Sequence, residues 1–545
     1  MILDMIQHEM KKALSVLYVL IFFLSLEAKA QLINSVPSVP TEHPRLFVTK
    51  AKLAELRSKV SSSEFSVMAN RVYNNSTPAC RAFKYLMLQN SADGKESLNR
   101  AYNWLVNTKS YKDNRAPYKS VFHASIAYDW CYDLFGQSGV PTKKAFMDEL
   151  IRVIGLDFSG GNSYYPFPQN EKSLVGHFVE GVFYNHVWAG IALYGDNNNI
   201  YDNMAKFLIN RLQDENNFWG KSHLHHQGQY IGTRHSHTVL TMLAIKEISG
   251  GKDIFSEDMR YVPYQLIYQM RPDKQLMRVG DVRVDGGEYV FHDMVTRYTG
   301  YYYDDPFLRW IANQKIFGIY DTALEKDMFD LIYLKSNASQ KSINELPLTK
   351  YFDEPVGSEM IARTGWDLSG TSSNSAIVQM RIGQYYFGNH QHKDFGTFQI
   401  YYKGNLTGDS GMYGGSSSEV SQPHWLNYYR STIAHNGLLV IDPNEKYSGG
   451  SWTNTAVDGG QRWPLNNDVQ PDNLNELLKS SNGYLYANVI GYDFGPDKIK
   501  PEFSYLSGDL TPGYIYQNGA NKNKVNKVTR SMVTLNTNDQ KYPCV

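Results

Sequence analysis

The sequence predicts an α+β multidomain protein, in which an N-terminal (α/α) toroid is followed by an antiparallel β-sandwich. Apolar residues recur at helical spacing from about residue 45 to 340, whereas they alternate with other residues after about residue 350. A length of 545 residues also exceeds what one ordinary core accommodates. Runs of helices followed by runs of strands are typical of separate all-α and all-β domains. We therefore expect domains at 31–345 and 346–545.

The helical region consists of amphipathic segments separated by turns rich in Gly, Asn and Asp. Thr49 is placed to cap a helix that carries Leu53, Leu56 and Val60 on one face. Pro141-Thr142 is a typical helix start. Hairpin-linked helices of this kind favour a toroid or a solenoid of helix pairs. Further helical stretches are expected at 121–134, 141–154, 204–212, 238–248, 307–316 and 328–334.

The second region has the period of half-buried strands, with Ala376, Val378, Met380 and Ile382 on one face. Because few strand candidates follow before Val545, we expect the sandwich to be truncated at its C-terminal end. Further strands are expected at 398–402, 437–441, 484–490 and 528–535.

The first 30 residues have the pattern of a signal peptide. Lys11-Lys12 precede a short apolar run at 13–26, and Ala28-Lys29-Ala30 places small residues where a signal peptidase cleaves. The apolar run is too short for a stable membrane span. We therefore expect cleavage before Gln31 and a periplasmic or secreted protein.

Charge and cysteine content exclude some classes of protein. The formal net charge is zero, so no global field attracts nucleic acid or anionic lipid, and an acidic substrate needs a local basic patch. We expect no nucleic-acid partner, and a homodimer remains open. The three cysteines do not form a disulfide scaffold, and two buried thiols are favoured over a bridge between Cys80 and Cys131.

The fifteen histidines fall largely into groups. In the first group, His177 and Glu180 would share one face of a helix, with Asn185 close behind. The second group surrounds Tyr230 and Arg234. Each histidine also fits the ordinary alternative of a surface residue or a hydrogen-bonded core residue. The third group comprises Asn389, His390, Gln391 and His392, with Asp409 and His435 downstream.

The third group has the residue types of a metal site. On a strand, His390 and His392 would project from the same face. Asp409 lies in the Gly-rich turn 408–411. Histidines with a carboxylate suit zinc, with water completing a tetrahedron.

Three segments resemble the heparinase II/III-like polysaccharide lyases. His43-Pro44-Arg45-Leu46-Phe47 resembles the start of the family. Asn389 to Gly396 with Phe398 to Gly404, and Arg430 to Asn436, are similar to its heparinase II branch. The resemblance extends from about residue 40 to the end, although heparinase II is longer and contains more β structure.

The resemblance implies roles for individual residues. Tyr230 matches the catalytic Tyr and Arg234 its companion, while His390 matches the catalytic His of the β domain. His392, Asp409 and His435 match the three protein ligands of one structural zinc ion, although the gap between the last two is shorter here. Tyr429 is the expected family Tyr at the substrate, in competition with Tyr413 and Tyr428. The other implied residues are the catalytic His177, Glu180 and Asn389 and the substrate-binding Asn185.

The implied chemistry is β-elimination at a uronic acid of heparin or heparan sulfate. The C5 proton is poorly acidic unless the neighbouring carboxylate is neutralised, a role for Glu180 and Asn389. Arg234 would favour the phenolate of Tyr230, and His177 or His390 would serve as a base on the other face of the ring.

Other functions remain open at this stage. The same scaffold could act on alginate, chondroitin or hyaluronan. A zinc hydrolase would use the metal to activate water, but no Glu lies beside the histidine pair at a hydrolase spacing. A non-catalytic glycan-binding protein is the third alternative.

Overall fold

The computed structural model describes residues 32–110, 116–156, 174, 183–225, 227–282, 292–314, 316–317, 325–388, 390–413, 423–445, 457–462, 470–515 and 523–536. The predicted signal peptide lies outside these residues. Among the helices within them, none has the length and apolar content that a membrane crossing needs.

The N-terminal part is rich in helices that pack as sequential neighbours, such as α3 with α4 and α12 with α13. The helix α14 contacts α1 and α2, so the described helices close into a ring. The predicted toroid is thereby confirmed. The helices are α1 (Leu53–Val60), α2 (Ser66–Asn74), α3 (Pro78–Leu88), α4 (Ser91–Asn107), α5 (Ala116–Trp130), α6 (Lys143–Ile154), α7 (Phe183–Leu193), α8 (Asn198–Phe207), α9 (Gln213–Gly220), α10 (Ile231–Ile248), α11 (Tyr264–Tyr268), α12 (His292–Tyr302), α13 (Pro306–Asn313) and α14 (Lys326–Tyr333).

Local sequence explains several helix starts. Thr142 caps α6 by accepting a hydrogen bond from the backbone N–H of Ala145 at 3.2 Å, as predicted. Asp305 caps α13, which begins at Pro306. The predicted cap at Thr49 is wrong, because the Thr49 hydroxyl donates to Glu247 Oε1 at 2.9 Å instead.

The segment at 43–47 joins two helices of the ring. The carboxylate of Asp129, in α5, accepts the backbone N–H groups of Arg45 and Leu46, each at 2.8 Å. The Arg45 side chain is buried and donates to the carbonyl of Ile191, in α7, at 2.9 Å. Cys80 and Cys131 are buried free thiols, which confirms the prediction of two thiols rather than a bridge.

Two antiparallel sheets follow the helices. One has the order β1-β2-β3-β4-β5 and the other β6-β7-β8, and β7 packs against β2 of the first sheet. The predicted sandwich is thus confirmed. The strands are β1 (Thr349–Phe352), β2 (Glu359–Arg363), β3 (Ile377–Arg381), β4 (Phe398–Tyr401), β5 (Asn405–Thr407), β6 (Asn488–Gly495), β7 (Phe503–Asp509) and β8 (Thr529–Leu535), and a short helix, α15 (Leu474–Leu478), precedes β6.

The strand predictions at 376–382, 398–402 and 528–535 are confirmed as β3, β4 and β8. At 484–490 the strand begins only at Asn488. The prediction at 437–441 is wrong. Leu438, Leu439 and Ile441 are exposed there, and the described residues provide no neighbouring strand to pair with them.

The loop at 268–282, which follows α11 of the ring, is hydrogen-bonded to the β part. Arg363, buried in β2, donates to the carbonyl of Tyr268 at 2.9 Å and to that of Met270 at 2.6 Å. Arg278 donates to the carbonyl of Asp409 at 2.7 Å. Because the apolar core is continuous across both parts, this loop is held between them.

Candidate active site and metal centre

An aromatic stack joins the helical ring to the β part. The rings of Tyr230 and His390 are nearly parallel, at 16°, with centroids 4.1 Å apart. The buried guanidinium of Arg234 lies 5.1 Å from the centre of the Tyr230 ring. Tyr230 is half-buried, while His390 is nearly enclosed. The structure therefore brings His390 to Tyr230 and Arg234, two predicted catalytic residues from which it is remote in sequence.

Gly228 allows the approach of the loop that lies under this stack. It has a φ of +56°, and a Cβ at this position would lie 2.6 Å from the carbonyl oxygen of Val279. Any other residue would be strained by this backbone conformation and would push the loop away. Tyr230 ends the short 3₁₀ turn that starts at Gly228, directly before α10.

His390 and His392 lie in a connection between β3 and β4, not on a strand. The predicted strand is wrong here because Gly388, with a φ of +99°, turns the chain before them. Both imidazoles nevertheless reach one carboxylate, that of Asp281.

Asp281 is a residue of this site that no pattern in the sequence indicates. Its fully buried side chain uses Oδ2 to accept a hydrogen bond from His390 Nδ1 and Oδ1 to accept one from His392 Nε2 at 2.8 Å. Burial alone would raise the pKa of Asp281, but the two histidines hold that pKa well below its usual range. The side chain is therefore an ionised carboxylate. It lies 109 and 111 residues from its partners, and no local pattern distinguishes it from other aspartates.

Two aromatic side chains fix Asp281 in place. Trp425 Nε1 donates to Asp281 Oδ1 at 2.9 Å. The buried Tyr429 hydroxyl accepts the backbone N–H of Val282 at 2.9 Å and lies 3.1 Å from the carbonyl oxygen of Gly280. In this position Tyr429 supports the loop, and a direct contact with substrate stays a prediction.

His392, Asp409 and His435 form a buried cluster that could hold a metal ion. One ligand atom from each residue lies within 4.8 Å of the others. Asp409 Oδ1 is 2.8 Å from His435 Nδ1. Within the described part of the chain, His392 Nδ1 and His435 Nε2 have no hydrogen-bond partner. Unpaired buried nitrogens beside a carboxylate fit a cation, and two histidines with one carboxylate fit zinc.

The charges of this cluster are coupled. Burial alone would lower the pKa of His435, but the adjacent Asp409 carboxylate raises that pKa above its usual value. Burial would likewise raise the pKa of Asp409, which the neighbouring histidines hold below its usual value. The cluster therefore retains an anionic oxygen ligand.

The remaining predicted residues fall into two groups. Asn185 is buried in α7, and its Oδ1 has no hydrogen-bond partner among the described residues. Tyr413 lies at the edge of the site, with its ring 5.9 Å from His390, and Tyr428 bonds to Ser410. His177, Glu180 and Asn389 lie outside the described residues.

The protein thus consists of a helical ring joined to antiparallel sheets, with a Tyr–His stack between the two parts and a metal-type cluster nearby. The family model described as heparinase II/III-like, C-terminal, matches residues 362–491, which include His390, His392, Asp409 and His435. The chain thus contains a heparinase II/III-like C-terminal region, and the predicted resemblance to this family is confirmed. No curated protein matches the chain.

Three solved structures are similar at low identity. A heparan sulfate lyase mutant from Pedobacter heparinus has a TM-score of 0.46 and 14% identity, covering 84% of this chain and 59% of that one. A heparinase III structure has a TM-score of 0.45 and 12% identity, covering 84% and 60%. A further heparinase III has a TM-score of 0.41 and 12% identity, covering 97% and 74%. The chain thus spans less than two thirds of the length of the first two.

Proposed function

We propose that this protein is an exported polysaccharide lyase that cleaves heparin or heparan sulfate by β-elimination at uronic acid residues. The observation that carries the proposal is the stack of Tyr230 on His390, with Asp281 behind the imidazole. In this proposal the catalytic toroid spans 31–345 and the sandwich 346–545.

Asp281 sets the chemical role of His390. Because the carboxylate accepts the Nδ1–H, the imidazole carries its lone pair on Nε2. A neutral imidazole in this tautomer suits the removal of a proton at near-neutral pH. Tyr230, stacked on the same ring, supplies a hydroxyl that can return a proton to the departing O4 oxygen.

The substrate carboxylate needs neutralising partners before its C5 proton becomes acidic enough to leave. Arg234 provides a positive charge behind Tyr230. We assign the direct contacts to Glu180 and Asn389, with His177 as the base for the opposite epimer, on the strength of the family resemblance.

The metal in this proposal is one zinc ion held by His392, Asp409 and His435. These three residues would hold the ion between the loop that carries His392 and the two downstream segments. Since His392 is two residues from His390, the ligands hold the candidate base in place rather than taking part in proton transfer.

The proposal is tested by incubating the purified protein with heparin, heparan sulfate, chondroitin sulfate, hyaluronan and alginate in parallel. Ultraviolet absorbance of an unsaturated product on heparin or heparan sulfate is the expected result. Absorbance on another polysaccharide alone would retain the lyase and reject this substrate class. New reducing ends without absorbance would mean hydrolysis, and binding without either would mean a non-catalytic glycan-binding protein.

A further inference from the structure

One carboxylate lies between the candidate base and the candidate metal cluster. Asp281 is fully buried, and its two oxygens serve different histidines: Oδ2 accepts from His390, and Oδ1 accepts from His392 at 2.8 Å. Neither histidine can change its hydrogen-bonded nitrogen without breaking a contact to the same carboxylate.

The tautomers that follow are complementary. His390 is held through Nδ1, so its lone pair is on Nε2, the nitrogen suited to base chemistry. His392 is held through Nε2, so its lone pair is on Nδ1, which has no hydrogen-bond partner among the described residues and belongs to the metal cluster. A carboxylate that fixes the tautomer of a metal-binding histidine is a general feature of metal sites.

We propose that Asp281 is the positioning residue of the site and that it orients His390 for proton abstraction and His392 for metal binding through one pair of hydrogen bonds. The role of Asp281 in orienting His390 rests on the proposed function. Its role in orienting His392 for metal binding does not depend on that function.

Neighbouring residues hold the Asp281 carboxylate in position. Trp425 Nε1 donates to Oδ1 at 2.9 Å, so that oxygen has two donors in a buried setting. The Tyr429 hydroxyl binds the backbone on both sides of Asp281. Gly228 lets Val279, two residues before Asp281, approach the Tyr230 turn. Each contact limits movement of the carboxylate relative to Tyr230 and the two histidines.

The direct test is the Asp281→Asn variant, in which one acceptor oxygen becomes an NH₂ donor. An amide cannot accept from both sides, so one histidine must change its tautomer or lose its contact. We expect kcat to fall by about 10- to 10⁴-fold with a nearly unchanged KM, because base geometry matters in the transition state and not in binding. We also expect zinc affinity, measured by competition with a chelator, to fall by about 10- to 100-fold.

The matched control is Asp293→Asn, which removes a buried carboxylate paired with Arg297 within α12. It should lower the melting temperature while leaving kcat and zinc affinity of the folded protein unchanged. Wild-type kcat and zinc affinity in folded Asp281→Asn would overturn the proposal. An equal loss of kcat in Asp281→Asn and in the Asp293→Asn control would also overturn the proposal.

Two further outcomes remain decisive. If Asp281→Asn does not fold, Asp281→Glu keeps a carboxylate but displaces both oxygens from His390 and His392, and an unchanged kcat and zinc affinity in it would reject the role. If the wild-type protein yields no unsaturated product on any polysaccharide, the proposed function fails. The zinc competition then decides the role of Asp281 by itself.

Discussion

Tyr230 combines three features that a proton-transferring phenol needs. It is half-buried, it stacks on His390, and the Arg234 guanidinium lies 5.1 Å from the centre of its ring. Removal of its hydroxyl would leave the stack and the shape of the site intact. The loss would therefore report proton transfer rather than packing.

We predict that Tyr230→Phe lowers kcat by about 10²- to 10⁴-fold, the usual contribution of a positioned acid or base, with little change in KM. The measurement is the rate of unsaturated product formation on the polysaccharide that the wild-type protein cleaves. Tyr85→Phe, which loses a hydroxyl bonded to Asp133 in the ring, is the control and should keep full activity. Full activity of Tyr230→Phe on every substrate would remove Tyr230 from the mechanism.

His235 illustrates a histidine whose role is in the core. It is fully buried in α10, its ring nitrogens have no hydrogen-bond partner among the described residues, and burial lowers its pKa from 6.5 to about 3. Below pH 6.5 the His235 imidazole is therefore protonated in the unfolded chain, whereas in the folded protein it stays neutral down to about pH 3. Stability contributed by the neutral form is complete above pH 6.5 and is lost as the pH falls toward 3.

We predict that His235→Gln is less sensitive to acid than the wild-type protein. At pH 5 this residue lowers the free energy of unfolding of the wild-type protein by about 2 kcal/mol relative to neutral pH, and the variant does not undergo this loss. The measurement is the drop in melting temperature between pH 7.5 and 5, compared with that of the half-exposed His424→Gln control. His123, whose pKa burial also lowers to about 3, should leave part of the drop in place. An equal drop in variant and wild type would refute the assignment.

The turn before α10 is the element that brings ring and sheet residues into register. Gly228 has a positive φ and a backbone contact with Val279 that a side chain would fill. Gly250 offers the matched comparison, since it has a φ of +70° and a Cβ added there would meet nothing within 4 Å. A side chain at either position bears the cost of a positive φ, but only a side chain at Gly228 would also clash with the backbone of Val279.

We predict that Gly228→Ala destabilises the protein by more than Gly250→Ala, although the backbone conformation costs each variant about 1–3 kcal/mol. The excess for Gly228 comes from displacing the loop at 279–282, so it should be accompanied by a loss of kcat. Chemical denaturation and product formation measure the two effects. Equal destabilisation with equal activity would show that the contact with Val279 is not needed.

Elements differed in how far local sequence determined them. The alternation of Ala376 to Ile382 predicted β3 because side chains on a strand alternate between its two faces. The expectation of a half-buried strand was wrong, since Ile377 and Gln379 on the opposite face are buried as well. The apolar run at 437–441 looked equally strand-like, but a strand needs a partner, and partners come from distant sequence. For the same reason the pattern around His390 and His392 predicted a strand where the structure has a connection between β3 and β4. The histidine groups were visible in sequence, whereas Asp281 became visible only through contacts across more than a hundred residues.

On the scale of the whole molecule, the site exists because two differently built parts share one boundary. The ring contributes Tyr230 and Arg234, and the sheet part contributes His390 and the metal cluster. The loop at 268–282 follows α11 of the ring and is hydrogen-bonded to the sheet part. A relative shift of the two parts would separate the stacked rings of Tyr230 and His390. A metal ion held by His392, Asp409 and His435 would fix the segment that carries His390 within the sheet part, which is one side of this boundary.

Metal removal therefore links stability to activity. We predict that the purified protein holds one zinc ion, and that prolonged chelation lowers its melting temperature and its kcat together, because binding to the folded state alone stabilises that state. His435→Ala should lose the zinc and behave like the chelated protein, whereas His223→Ala, a histidine of the ring outside the cluster, should retain it. Elemental analysis gives the stoichiometry, and readdition of zinc should restore the melting temperature of the wild-type protein but not that of His435→Ala. If chelated protein contained no zinc yet melted and reacted as before, the cluster would be a hydrogen-bonded group of side chains, and the stack of Tyr230 on His390 would depend on Asp281 alone.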